Sequence, residues 1–282
     1  MTVLEGIQKS AEFLEKKDVE SPRLQAELLL AHLLKLPRMK LYLNFERTLT
    51  DAETDTYREL IKRRAQREPL QHIVGSTSFC GLEIAVNRSV LVPRPETELL
   101  AELGWQFLNN FPDGQALDFG TGSGCIAIAL AVKCPAAKIV ALDLSPDALD
   151  VARQNATANH VAEKTEFLQG DGFAALSKAS TFDLIISNPP YIPTAEIETL
   201  DPEVRDFDPR GALDGGTDGL DFYRRFAIEA REFLKPAGKI MLEFGDGQGD
   251  SIRGIFEAQK WIVEAIREDY THRQRILIAK QL

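Results

Sequence analysis

From residue 114 onward, apolar segments of strand length alternate with segments of helical periodicity. Five strand candidates read "ALDF", "KIVALDL", "TEFLQGD", "FDLIIS" and "KIMLEFG", and helices are predicted over residues 123–131, 146–159, 220–234 and 249–258. Such alternation predicts a mostly parallel sheet with helices on both faces. The last two candidates, "WIVEAIR" and "RILIAKQ", have no helix between them, so they should form an antiparallel hairpin at one edge. We therefore expect a Rossmann-like α/β domain with a seven-stranded sheet.

The first 75 residues carry a helical pattern and no strand pattern. Leu4, Ile7, Ala11 and Leu14 recur at helical spacing, and "SPRLQAELLLAHLLKL" opens with Ser21 at the expected N-cap. We expect a small helical bundle, which either stabilises the rest of the chain or docks a partner. The basic run "KRRAQR" at residues 62–67 is interpreted as a solvated helix face in preference to a partner contact.

Residues 76–95 switch to the alternation of a β-hairpin. Phe79, Leu82, Ile84 and Val86 predict one strand, residues 87–89 a turn, and residues 90–92 a second strand. The expected organisation is a helical domain over residues 1–75, a hairpin linker over 76–95 and the sheet domain over 96–282.

The charge balance bears on the class of partner. The net charge is −10, and it is uneven, because residues 1–75 carry 13 basic and 12 acidic side chains whereas the other 207 residues carry 20 and 31. Proteins that bind nucleic acid non-specifically gain most of their affinity from Lys and Arg contacts to phosphates. The acidic sheet domain therefore argues against a nucleic-acid substrate.

Other features of the composition indicate the compartment. No apolar run approaches the ~20 residues of a membrane span, and the N-terminus lacks the apolar core of a secretory signal. Cys80, Cys125 and Cys134 form no CxxC pair, so the sequence suggests no zinc or other metal site. A reducing, cytoplasmic location without membrane contact is expected.

A glycine-rich loop follows the first strand of the predicted sheet. In "ALDFGTGSGCIAIAL", the loop comprises Gly120, Thr121, Gly122, Ser123 and Gly124, and a helix comes directly after it. Glycines let a ligand approach the backbone, and the helix N-terminus offers unpaired N–H groups. The loop is not a phosphate-binding Walker loop, since no Gly-Lys-Ser/Thr follows.

The next two strands also end in polar residues. Asp143, followed by Leu144, lies at the tip of the second strand, where a carboxylate can accept both ribose hydroxyls of a nucleoside. Asp171, Gly172 and Phe173 follow the third strand, where the acid could accept from an adenine amino group and the phenyl ring could lie against the base. Phe173 could equally be a core residue. Because ligands of open α/β sheets bind at the carboxyl ends of strands, these three tips together predict a nucleoside pocket.

The fourth strand ends in Asn188, Pro189, Pro190 and Tyr191. Two prolines stiffen the corner and leave the main-chain carbonyls of Asn188 and Pro189 as acceptors. The Asn188 side chain adds a third carbonyl, and Tyr191 adds a flat face. The corner is predicted to hold a planar group that bears an NH₂.

The combination of "GTGSG", Asp143 and "NPPY" resembles the S-adenosylmethionine-dependent methyltransferases that act on planar nitrogen. The resemblance implies S-adenosyl-L-methionine as cofactor and two possible substrate classes, adenine in nucleic acid and the glutamine amide in protein. Base flipping needs phosphate contacts, which the acidic sheet domain disfavours. An adenine-N6 methyltransferase acting on DNA or RNA stays open as the alternative.

Further motifs resemble the HemK/PrmC family, the protein-(glutamine-N5) methyltransferases of class I peptide chain release factors. They are "REPLQHIVG", "FCGLEIAVNRSVLVPRPETE", "NPPYIP" and "DPRGALDGGTDGLDFYRR", and the resemblance runs along the whole chain. It implies that Asn188 and the Pro189 carbonyl hold the glutamine amide with Tyr191 beside it, and that Arg94 lies at the cofactor edge of the cleft. Gly172 departs from family members that carry a large aromatic residue there. The long connection over residues 192–219 is expected to cover the slot.

Overall fold

The computed structural model describes all residues, Met1–Leu282. The chain divides into two compact units. One, here the helical unit, comprises Met1–Gly75 and Asp201–Phe207; the other, the sheet unit, comprises Ser76–Leu200 and Asp208–Leu282. No helix in either unit is both long and apolar enough to cross a membrane.

The helical unit contains five helices from the N-terminal region and one short helix from the segment 201–207. Their bounds are α1 Val3–Glu15, α2 Pro22–Leu34, α3 Arg38–Leu41, α4 Asp51–Ala65, α5 Leu70–Val74 and α9 Pro202–Arg205. Thr2 and Thr50 begin α1 and α4 with capping boxes, which satisfy the free N–H groups of each first turn. Ser21 does precede α2, but in a left-handed conformation and without a capping hydrogen bond. Ile7, Leu29 and Tyr57 are among the buried side chains of the core.

The basic run at residues 62–67 is not a simply solvated face, and that interpretation was wrong. Arg64 is only 4% exposed. Its guanidinium donates to Gln25 at 3.0 Å and to Glu203 at 2.7 Å, and Arg67 also donates to Glu203 at 2.7 Å. Segment 201–207 thus belongs to the helical unit, in which two arginines hold its half-buried Glu203 carboxylate.

A two-stranded hairpin opens the sheet unit, with a different register from the predicted one. Strands β1 Ser76–Phe79 and β2 Leu82–Ala85 pair antiparallel. Cys80 and Gly81 form the two-residue turn with φ of 52° and 78°, the left-handed pair that matches strand twist. The predicted turn at 87–89 is present, since the Val90 N–H donates to the Asn87 carbonyl at 3.3 Å, but it does not close a hairpin. The predicted second strand at 90–92 was wrong. Val90 and Val92 are buried without joining a ladder.

The main sheet has seven strands in the order β5-β4-β3-β6-β7-β9-β8. Their bounds are β3 Gln115–Phe119, β4 Lys138–Asp143, β5 Thr165–Gln169, β6 Phe182–Ser187, β7 Leu234–Glu243, β8 Trp261–Glu268 and β9 Gln274–Gln281. The first five strands are parallel, and β9 pairs antiparallel with both β7 and β8. The predicted Rossmann-like sheet with its terminal antiparallel hairpin is confirmed.

Helices cover both faces of this sheet, with bounds α6 Pro95–Leu108, α7 Cys125–Lys133, α8 Pro146–Ala158, α10 Asp221–Glu229 and α11 Gly249–Ala258. Strand β6 is buried along its whole length, as a central strand of a doubly covered sheet must be. Its side chains alternate between two cores: Leu184 and Ile186 pack into one, and Ile185 packs into the other. The strand therefore ends in the middle of the carboxyl edge, where Asn188 follows.

Gly104 tests the close packing of α6 on the sheet. A Cβ at this position would lie 2.9 Å from Ile186 Cδ1 and 3.2 Å from Leu130 Cδ2. We expect Gly104→Val to lower the free energy of unfolding by about 1 to 3 kcal/mol through overpacking. The matched control is Gly254→Val in α11, where a Cβ meets open space and helix propensity should rise slightly. Calorimetric unfolding of both variants checks this; equal midpoints would contradict the close packing.

Candidate active site

A cavity of about 440 Å³ opens at the carboxyl ends of the parallel strands, a size usual for small-molecule sites. All of its lining residues belong to the sheet unit. Of the residues predicted from sequence, it brings together Gly120, Thr121, Gly122, Ser123, Asp143, Leu144, Asp171, Gly172, Phe173, Asn188, Pro189 and Pro190. Gly124, Tyr191 and Arg94 lie outside its lining.

The glycine loop leaves its backbone open toward the cavity. Gly120 and Gly122 have φ of 73° and 54°, and a Cβ on either would project into open space. A ligand can therefore approach both peptide units closely. Gly124 serves packing instead, because its Cβ would lie 3.0 Å from Ala152 Cβ in the neighbouring helix.

Asp118 holds this loop in shape, and it was missed in the sequence because it lies within the strand "ALDF". One carboxylate oxygen accepts from the Thr121 hydroxyl at 2.6 Å and from the Ala127 N–H at 3.0 Å. The other oxygen has no hydrogen-bond partner. Burial raises the pKa of Asp118 to about 7, against the lowering effect of these two donors.

Asp143 lies at the tip of β4 with its carboxylate beside the loop. It accepts from the Gly122 N–H at 2.8 Å and from the Ser145 N–H at 2.9 Å. Each carboxylate oxygen has a further lone pair, so hydroxyls of a ligand can still bind. Ser145 itself caps α8 by accepting from Ala148, which leaves Asp143 uncommitted to the helix.

The tip of β5 has an arrangement that the sequence did not indicate. Arg225 in α10 donates to the Asp171 carboxylate at 2.6 Å and to the Asp171 carbonyl at 3.3 Å. Its guanidinium lies 2.7 Å from where a Gly172 side chain would begin. Phe173 is a core residue, 3% exposed and stacked on Phe233, and it also lines the cavity. The planar guanidinium therefore fills the space that the missing Gly172 side chain leaves.

The Asn-Pro-Pro-Tyr corner presents acceptors without internal partners. No donor of the protein contacts the main-chain carbonyls of Asn188 or Pro189. The Asn188 side-chain NH₂ donates to Thr97 Oγ1 at 3.1 Å, which leaves its oxygen unpaired. By contrast, the Tyr191 carbonyl accepts from Gln248 at 2.9 Å and anchors the corner. Thr97 lines the same cavity and was not predicted from sequence.

Tyr191 and Arg94 each follow a lining residue in the chain, Pro190 and Pro93 respectively. Burial raises the pKa of the Tyr191 hydroxyl to about 12, so the ring is an uncharged, half-buried face. Arg94 donates to the buried Asp208 carboxylate at 2.8 Å, one residue before the lining residue Pro209. Burial raises the pKa of Asp208 to about 6 although Arg94 opposes the shift.

The cavity fits a nucleoside-bearing sulfonium such as S-adenosylmethionine. The open glycine peptides can receive a polar ligand, Asp143 has unused acceptor capacity, and the flat guanidinium of Arg225 can face a base. The unpaired carbonyls at Asn188 and Pro189 can accept two hydrogens from one planar nitrogen.

Comparisons with known proteins agree with this geometry. The family description "PrmC N-terminal domain" matches residues 5–75, and "Methyltransferase small domain" matches residues 97–200. The chain is similar to a release factor glutamine methyltransferase from Geobacter sulfurreducens, 49% identical over 86% of this chain and 84% of that one. A protein of the same name from Chlorobaculum tepidum is 40% identical over 97% and 95%.

One solved structure is similar at the level of fold. A methyltransferase from Pyrococcus furiosus aligns with a TM-score of 0.53 and 22% identity, covering 78% of this chain and 99% of that chain. This similarity supports the Rossmann-like architecture described above.

The pKa of Asp118 generates a prediction on stability. Because its folded pKa lies above the unfolded value, the folded state binds the proton more tightly. The contribution of Asp118 to stability therefore falls as pH rises from about 4 through about 7. We expect the stability of Asp118→Asn, measured relative to the parent protein, to increase as the pH is raised from 5 to 8. Thermal unfolding at both pH values checks this; a pH-independent difference would contradict the ionisation of Asp118.

Proposed function

The chain belongs to the release factor glutamine methyltransferase family, and we propose that it methylates the glutamine of the Gly-Gly-Gln loop in class I release factors. The methyl group goes from S-adenosyl-L-methionine to the N5 amide nitrogen, a modification that modulates translation termination. The observation that carries the proposal is the Asn188–Pro189 pair of unpaired carbonyls at the edge of the cavity.

The acceptors address the chemical difficulty of the reaction. An amide nitrogen is a poor nucleophile because its lone pair is delocalised into the carbonyl. Asn188 Oδ1 and the Pro189 carbonyl would accept its two hydrogens, hold the NH₂ in one orientation and favour charge on nitrogen. The sulfonium supplies the methyl group when bound. The amide nitrogen would gain the methyl group and lose one proton to water, since the two carbonyls are too weakly basic to keep it, and the demethylated cofactor would be a neutral thioether. Alignment of the two reactants is the main contribution of the corner.

The remaining predicted residues are assigned around this step. The loop from Gly120 to Gly124 and Asp143 would hold the cofactor, with Leu144, Asp171, Gly172 and Phe173 along the adenosine. Tyr191 and Pro190 would pack beside the glutamine, and Arg94 would act at the cleft edge by holding Asp208. Residues 1–75 would dock the release factor, and residues 76–95 would connect them to residues 96–282, which would carry out the methyl transfer. The reaction would take place in the cytoplasm.

Label transfer tests the function. The protein is incubated with S-adenosylmethionine carrying a labelled methyl group and a class I release factor. The control is the same release factor with its loop glutamine replaced by alanine. We expect label on the parent factor alone. Equal label on both factors, or transfer to DNA or RNA and not to the factor, would overturn the proposal.

Asp143 generates a prediction on cofactor affinity. Asp143→Ala removes the carboxylate at the β4 tip. The binding free energy of the cofactor should weaken by roughly 1 to 3 kcal/mol, so its dissociation constant should rise about 5- to 150-fold. Asp147→Ala is the matched control, since Asp147 is exposed in the next turn and lies outside the cavity lining. Calorimetric titration measures both; equal constants would refute the ribose assignment.

Asn188 generates the complementary prediction on turnover. Asn188→Ala removes one acceptor for the substrate amide, so kcat should fall at least about 100-fold. Cofactor affinity should stay nearly unchanged. Asn110→Ala, an exposed asparagine bonded only within its own helix end, is the control. Unchanged turnover in Asn188→Ala would exclude the acceptor role.

A further inference from the structure

The inference concerns two buried side chains behind Asn188. Thr97 lies in the first turn of α6 and Glu243 is the last residue of β7, and each is 2% exposed. The Thr97 hydroxyl accepts from Asn188 Nδ2 at 3.1 Å. The same side chain lowers the pKa of the Glu243 carboxylate by hydrogen bonding, which is the effect of a donor. Neither residue is needed for the core, because an apolar side chain of similar volume would pack at lower cost.

Asn188, Thr97 and Glu243 form a row of three side chains with Thr97 in the middle. The Thr97 hydroxyl has only one hydrogen, and the direction of that hydrogen decides which neighbour is the donor and which is the acceptor. An ionised carboxylate accepts and cannot donate, so the hydrogen of Thr97 must point to Glu243. The oxygen of Thr97 then accepts from Asn188, and only the NH₂ end of that amide can supply the hydrogen. The carbonyl end of Asn188 is consequently turned away from Thr97. A protonated Glu243 could instead donate to Thr97, which would free the hydroxyl to donate to the Asn188 oxygen and would rotate the amide.

We propose that Thr97 and Glu243 are positioning residues that fix the amide of Asn188 with its oxygen toward the substrate nitrogen. The proposal rests on the proposed function, since a glutamine NH₂ requires an acceptor. The opposite orientation would place the Asn188 NH₂ against the substrate NH₂, donor against donor. The row therefore decides whether the corner can bind its substrate in a reactive orientation.

The surroundings of Glu243 make this orientation sensitive to pH. Burial raises the pKa of Glu243 to about 7, and Glu96 adds to the rise, whereas the Thr97 hydroxyl, Arg275 and Arg94 oppose it. Tyr191 is uncharged beside it, because burial raises the pKa of its hydroxyl to about 12. On the backbone side, the Glu243 carbonyl accepts from the Tyr223 hydroxyl at 2.7 Å. One carboxylate oxygen of Glu243 has no hydrogen-bond partner.

Kinetics of three variants test the proposal. Thr97→Val keeps the shape and removes the hydroxyl, so kcat should fall about 100-fold with cofactor affinity unchanged. Thr97→Ser restores the hydroxyl and should recover kcat to within about threefold of the parent. In the parent protein, kcat should rise with pH as Glu243 ionises, whereas Glu243→Gln should lack that acid limb, because an amide does not ionise in this pH range. A parent-like kcat in Thr97→Val, or an unchanged acid limb in Glu243→Gln, would overturn the positioning role.

A second measurement does not depend on turnover. The ¹⁵N side-chain amide signals of Asn188, identified by their loss in Asn188→Ala, report directly on its hydrogen bonds. We expect them to titrate between pH 5.5 and 8.5, and to shift and lose the titration in Thr97→Val and Glu243→Gln. Amide signals that change neither with pH nor in the two variants would refute the positioning role of Thr97 and Glu243, whether or not the protein transfers methyl groups. Parent protein that fails to label a release factor would refute the proposed function alone.

Discussion

The parallel pairing of β3 with β4 and β6 is the constraint on which the site depends. Phe119 lies opposite Leu142, and Asp118 lies opposite Ile186, so the three strands end at nearly the same height. The ladder continues past β3, because the N–H groups of Gly120 and Thr121 both donate to the Leu142 carbonyl. A slip of one residue would reverse the face of every side chain in the strand and turn Asp118 away from its loop. Register therefore fixes the glycine loop between Asp143 and the Asn188 corner.

Much of this arrangement could be predicted from sequence because its signals are local. Strand and helix alternation gave the sheet and its edge hairpin, and glycines and prolines express their backbone preferences within a few residues. The loop at 120–124, Asp143 and the corner at Asn188 all follow strands directly, so the rule that ligands bind at carboxyl ends was enough to group them. The cavity lining contains most of that group.

What escaped prediction depends on contacts between distant parts of the chain. Thr97 and Asn188 are 91 residues apart, and Arg64 and Glu203 are 139 residues apart. Nothing in the sequence singled out Thr97, and Arg64 looked like one charge in a solvated run. The hairpin register failed for a different reason: Cys80 adopts a left-handed conformation that a non-glycine residue rarely takes, so Cys80–Gly81 carried too weak a turn signal.

Three buried carboxyl groups of the sheet unit lower the stability of the folded state. Asp118, Asp208 and Glu243 each have one oxygen without a hydrogen-bond partner, and burial raises the pKa of each. Burying such groups is unfavourable, and a core of this size has no structural need for them. All three lie behind the cavity wall: Asp118 under the glycine loop, Asp208 before Pro209, and Glu243 behind the Asn188 corner. A wall built of loops needs directional bonds that apolar packing cannot supply. The uneven distribution of these groups is thus explained by the precision that the site requires of its backbone and of one amide side chain.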